Sequence, residues 1–94
     1  VVHDFDWDER KARSNLTKHR VSFEAAKLVF EDTFAVELPV EVAADGEERY
    51  TLIGMARLAL LAVLYTERNG RVRIISARHA TKPEERLYEF ESRY

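Results

Sequence analysis

Ninety-four residues, 46% of them hydrophobic, suffice for one core and leave no room for a second, which predicts a single domain over residues 1–94. The absence of cysteine excludes a disulfide framework and a thiolate metal site, and the longest apolar run, Leu58 to Tyr65, falls far short of the roughly 20 residues of a membrane-spanning helix. The net charge of −2 hides a segregation of sign: five basic residues from Arg10 to Arg20 and five from Arg68 to Lys82 flank Phe23 to Glu48, which holds eight acids. With nothing at the N-terminus that reads as a signal peptide, the expected location is the cytoplasm, away from membranes.

In chain order, His3 to Trp7 is expected as a short strand. Asp6 with Glu9 reads as a capping pair that opens a helix from about Trp7 to His19. Ala12 and Leu16 form its thin apolar stripe, while Lys11, Asn15 and Lys18 share an adjoining polar face. Ser22 caps a second helix to about Phe30, with Val21 and Ala26 as a hydrophobic staple and Phe23, Ala26 and Phe30 turned to the core.

Phe34 to Val42 alternates but is broken by Pro39, the pattern of an edge strand, and Ala43 to Glu48 is an acidic loop. Three strands follow at 49–56, 58–68 and 71–77, joined so tightly that they must run antiparallel. Asn69-Gly70 is the clearest hairpin signal, since a type I′ turn needs positive φ at both positions. The middle strand, apolar on both faces, is expected at the centre. Thr81 and Glu84 form a capping box, Pro83 sits in the first turn, and Leu87, Phe90 and Tyr94 line one face of a last helix. The class is α+β: a small antiparallel sheet with two N-terminal helices and one C-terminal helix.

No glycine-rich phosphate loop, nucleophile elbow or closely spaced ligand set occurs, so nucleotide hydrolysis, serine hydrolysis and metal catalysis find no support in the sequence. What remains is a group of arginines around one hairpin, with Glu67, His79, Lys82 and Tyr88. Metal-free RNA cleavage uses such types: a base for the 2′-OH proton, fixed cations for charge developing on phosphorus, and an acid for the leaving 5′-oxygen.

Longer stretches carry a resemblance. Trp7-Asp8, Lys11, Asn15, Lys18-His19 and Val21-Ser22-Phe23-Glu24, then Ile53 to Met55, Tyr65 to Arg68 and the Arg-Ile-Ile-Ser-Ala-Arg run at Arg73 to Arg78, are similar to the BrnT family, the ribonuclease toxins of bacterial toxin–antitoxin pairs. The resemblance covers nearly the whole chain. It implies a RelE-like fold and a metal-independent endoribonuclease acting on single-stranded RNA without a cofactor. It also implies neutralisation by a BrnA-like antitoxin, with operator DNA reached only through the toxin–antitoxin complex. Under it, Arg78, Glu67, His79, Lys18 and His19 are the expected catalytic residues; the competing roles are a salt bridge to the last helix for Arg78, a cross-hairpin pair with Arg71 or Arg73 for Glu67, and C-terminal capping of the first helix for Lys18 and His19. Lys11, Asn15, Tyr65, Arg68, Arg71, Arg73, Lys82 and Tyr88 are expected to bind RNA, and Glu41, Asp45, Glu47 and Glu48 to meet the antitoxin.

Three departures stand out. Arg20 replaces a common glycine, removing the usual helix terminator. The connection from Met55 to Leu58 is short and lacks glycine. His79 stands where lysine or arginine is more common, which makes activity responsive to pH near neutrality if this residue takes part. Competing readings are a non-catalytic nucleic-acid-binding module and a structural partner subunit of a repressor complex.

Overall fold

The computed structural model describes residues 3–93, so the expected place of Tyr94 on the last helix lies outside the described residues. The elements are β1 (Phe5–Asp6), α1 (Glu9–His19), α2 (Phe23–Ala26) with a 3-10 helix (Lys27–Glu31), β2 (Val36–Glu37), β3 (Glu41–Val42), β4 (Glu48–Ala56), β5 (Ala59–Arg68), β6 (Arg71–His79) and α3 (Lys82–Arg93). The α+β class holds, with one addition. β1 joins β6 in parallel, so the sheet, ordered β1-β6-β5-β4-β2 with β3 also on β4, is mixed rather than purely antiparallel.

Local chemistry explains the boundaries. The cap of α1 is Asp8, not Asp6: its carboxylate accepts from the Arg10 and Lys11 N–H groups, and those bonds hold its pKa below the usual carboxylate range. At the other end Arg20 itself takes the left-handed conformation, φ 60°, and donates its N–H to Leu16 O. The terminator geometry is therefore kept without glycine, at about 1 kcal/mol of strain. Ser22 caps α2, which tightens into the 3-10 helix after one turn.

The edge segment splits around Pro39 into β2 and β3, both on β4. Arg57-Leu58 is a two-residue turn with positive φ at its first position, and Asn69-Gly70 has φ of 53° and 75°, the type I′ signature. The Thr81–Glu84 capping box forms reciprocally, at 2.9 and 3.4 Å.

One side of the sheet carries the main core. Val21, Phe23, Ala26 and Val29 from the helical segment meet Leu61, Val63, Tyr65, Val72, Ile74 and Ala77 from the central strands. Ile53 and Ala62 are buried but lie outside that cluster, on the opposite face, where α3 covers part of the sheet. Gly54 permits the tightest approach: a Cβ there would come within 2.9 Å of Val29 Cγ1 and 3.1 Å of Ala35 Cβ.

Candidate nucleic-acid interface

Strict alternation from Arg71 and Arg73 would send Arg78 to the opposite face of β6. A register shift prevents this. Tyr65 pairs with Ile74 while Leu64 pairs with Ser76, so Ile75 is an extra residue that reverses the parity of the strand beyond it. Arg71, Arg73 and Arg78 then oppose Arg68, Thr66 and Ala62, which all point to one face of β5. The β4 pairing puts Arg49 on that face too, since Tyr50 shares the core side with Tyr65. Five arginines thus share the face away from α1 and α2.

Three carboxylates partly neutralise them. Glu47 holds Arg68 at 2.7 Å and Arg49 at 3.2 Å, and Asp6 holds Arg73 at 3.2 Å. Glu84 of α3 takes Arg78 in a two-pronged bond of 2.7 and 3.0 Å. That bond, with the Thr81 N–H, lowers the Glu84 pKa to about 2 and raises that of Arg78. Among the described residues Arg71 has no ion-pair partner, and it sits directly opposite Arg68, a like-charge pair that favours an incoming anion. The other half of this face, beyond α3, carries half-buried Thr51 and Ser76 among the arginines, while Thr66 is buried with its hydroxyl donating to Glu48 O at 2.8 Å.

The remaining expected residues do not gather here. Glu67 opposes Val72 and His79 opposes Leu61, both on the core side and seven residues apart along β6, or about 20 Å at ~3.3 Å per residue. They cannot act as base and acid on one phosphate. Glu67 also makes no bond across the hairpin to Arg71 or Arg73. Lys18 and half-buried His19 end α1, on the same side as His79 and opposite Arg78. Lys11 is exposed on α1, and Lys82 pairs with Glu85 at the start of α3.

Three expected RNA contacts are engaged within the fold. Asn15 is 6% exposed; its Nδ2 donates to Val21 O (2.9 Å) and Ala77 O (2.8 Å), and its Oδ1 accepts from Ala77 N (3.1 Å). It ties α1 to β6, which corrects its placement on a solvent-facing polar stripe. Tyr65 is a core ring stacked on Tyr50, and its hydroxyl donates to Glu37; burial and that carboxylate raise its pKa. Tyr88 donates to Asp32 Oδ2 at 2.6 Å, and burial plus this bond push it up to about 12.

Asp32 is the organiser that sequence reasoning missed, while the Arg78–Glu84 pair is the salt bridge to the last helix that competed with a catalytic role for Arg78. Asp32 also accepts from the Met55 and Phe34 N–H groups; burial opposes its ionisation, yet the bonds outweigh it and the pKa falls. One carboxylate so joins the 3-10 helix, β4 and α3. Of the four acids expected at the antitoxin, Glu47, Glu48 and Asp45 are bonded within the chain.

Among the described residues no three His, Cys, Asp or Glu side chains cluster as a metal site requires. A concavity of about 1050 Å3 lies beside β1 and the 3-10 helix; its carboxylates Asp4, Glu24, Glu31 and Asp32 outnumber its cations Lys27 and His3, a balance unsuited to phosphate.

A family model described as the ribonuclease toxin BrnT of type II toxin–antitoxin systems matches residues 7–84, most of the chain. No curated protein matches it.

Proposed function

The chain belongs to the BrnT family of ribonuclease toxins of type II toxin–antitoxin systems, and on that premise we propose that it is a metal-independent endoribonuclease that lays single-stranded RNA across the arginine face of its sheet. Membership implies an RNA target and an antitoxin protein partner. The observation that carries the reading is the shift at Ile75, which collects Arg68, Arg71, Arg73 and Arg78 on one face.

In this reading the backbone phosphates run over Arg71, Arg68 and Arg73 toward Arg78. An RNA phosphate competes with the Glu84 carboxylate for the Arg78 fork, and guanidinium then holds the two oxygens on which charge grows as the 2′-OH attacks. The 2′-OH loses its proton to water as it attacks, the P–O5′ bond breaks, and the leaving 5′-oxygen takes a proton from water, giving a 2′,3′-cyclic phosphate and a 5′-hydroxyl. His79, the next residue along β6, opposes Leu61 on the core side and so faces away from Arg78, which leaves solvent water to carry both protons in this reading. Charge stabilisation, the larger contribution in such chemistry, falls to the arginines.

The separation of Glu67 from His79 favours a second reading, a module that binds RNA without cutting it. One substrate separates the two. A single-stranded RNA with one 2′-deoxy position must resist cleavage at that position alone, and the products elsewhere must carry cyclic phosphate ends. A module without activity leaves every strand intact, and cutting at the deoxy position refutes the mechanism.

The partner is proposed to be BrnA-like, with operator DNA contacted only through the complex and the cytoplasm as the place of action. Among the described residues no helix is long and apolar enough to cross a membrane.

A further inference from the structure

The other side of the molecule carries a basic surface that the RNA reading does not use. Arg10, Lys11, Arg13, Lys18 and Arg20 line α1 and the turn after it, and none takes part in the six ion pairs found among the described residues. Apart from the pull of the Asp8 carboxylate on Lys11, these cations face no carboxylate partner among the described residues, whereas those of the sheet face mostly do. In their midst Leu16 is 49% exposed, against the usual fate of a helical leucine in a small domain.

Beside Leu16 opens a pocket of about 220 Å3 between the end of α1, the start of α2 and the β4–β5 turn. Its floor is aliphatic, with Leu16, Val21, Ala25 and Leu61, and its rim holds Arg20 and His79. The turn flanked by its lining residues Ala56 and Ala59 presents Leu58, 99% exposed. An unpaired cationic helix around an apolar pit, with two bare leucines beside it, has the composition of an interface: an apolar anchor site inside a charged rim.

We infer that this corner docks an acidic segment of a protein partner, with one aliphatic side chain seated in the pocket and carboxylates on Arg20 and Arg13, the two cations that flank Leu16 at helical spacings of four and three. Charge complementarity selects the sign of the partner. The lining selects its class. Single-stranded RNA is held by stacking bases on aromatic or arginine planes, and no aromatic ring but the rim histidine lines this pocket. The volume, below the roughly 300–1,000 Å3 of small-ligand clefts, suits one side chain. The inference rests on the family's protein partner and not on cleavage, so it stands even if the chain proves unable to cut RNA. Because the corner lies on the opposite side of the sheet from the arginine face, segment and RNA are able to bind together.

The test uses the full 15N-labelled chain and three probes: a helical peptide of Glu and Ala with one central Leu, the same peptide with Ala at that position, and oligouridylate. The Leu peptide is expected to shift the amides of Leu16, Ala25, Ala59 and Leu61 and to bind about tenfold more tightly than its Ala counterpart, the worth of burying one aliphatic side chain. Leu16→Glu and Arg20→Glu, both at exposed positions, should each weaken it at least tenfold, while Arg86→Glu on the exposed side of α3 should leave it unchanged. The peptide should not displace oligouridylate. Equal binding of the two peptides, or no shift with either, overturns the anchor, and stronger shifts of the pocket by oligouridylate reassign the corner to RNA.

Discussion

Replacing Asn15 with Leu removes three hydrogen bonds at a site only 6% exposed and strands the carbonyls of Val21 and Ala77 and the N–H of Ala77. A net contribution of about 1 kcal/mol per bond gives about 3 kcal/mol, before any penalty for the stranded groups. In a domain of this size each kcal/mol moves the melting midpoint by about 4–8 °C, so a fall of roughly 12–24 °C is expected. Thermal unfolding followed by circular dichroism reads this directly. Oligouridylate affinity, measured well below the midpoint, should be unchanged, because the side chain faces β6. A midpoint within about 4 °C of the wild type, or weaker RNA binding in a protein that melts normally, would refute the clamp and return Asn15 to the RNA surface.

Two further perturbations address the α3 side of the sheet. The Glu84 carboxyl, lowered from 4.5 to about 2 chiefly by Arg78, adds stability that is full above pH 4.5 and fades as pH falls toward 2. The full shift corresponds to about 3 kcal/mol, but Arg78 is 39% exposed and solvent screening reduces this to about 1–2. Glu84→Gln should therefore melt about 5–10 °C lower at pH 7 and lose the wild type's extra slope between pH 4.5 and 2; an unaltered acid profile would contradict the fork. Gly54→Ala should destabilise by about 1–3 kcal/mol in urea, since the new methyl lies 2.9 Å from Val29 Cγ1 with Ala35 and Asp32 behind it. A neutral result there would mean that the 3-10 helix yields freely.

Much of the frame was legible because local chemistry dictates it. The Asn69-Gly70 turn, the Ser22 and Thr81 caps and the doubly apolar β5 each depend on a few neighbouring residues, and each forms as expected. What escaped depends on pairs distant in sequence. No local signal marks Ile75 as the extra residue, because bulges arise from how two strands settle against each other. With that shift unseen, Arg78 could not be placed beside Arg73. Asn15 looked like the middle of a polar stripe, and only the approach of β6, 62 residues later in the chain, turns it into a buried clamp. Glu84 was visible as a capping residue, but its second role required knowing which face of β6 Arg78 occupies. Charge segregation along the chain became segregation in space, though on two sides of the sheet instead of one.

The most direct test of the ribonuclease reading is the cleavage of a long unstructured RNA in EDTA by the wild type and by Arg78→Ala, purified identically, with Arg78→Lys to control for the loss of the Glu84 partner. The account predicts that the wild type cuts, that Arg78→Ala is slower by about a hundredfold or more while still folded and binding RNA, and that the lysine variant falls between. Equal cutting by wild type and Arg78→Ala would contradict it, removing Arg78 and the arginine face from the chemistry.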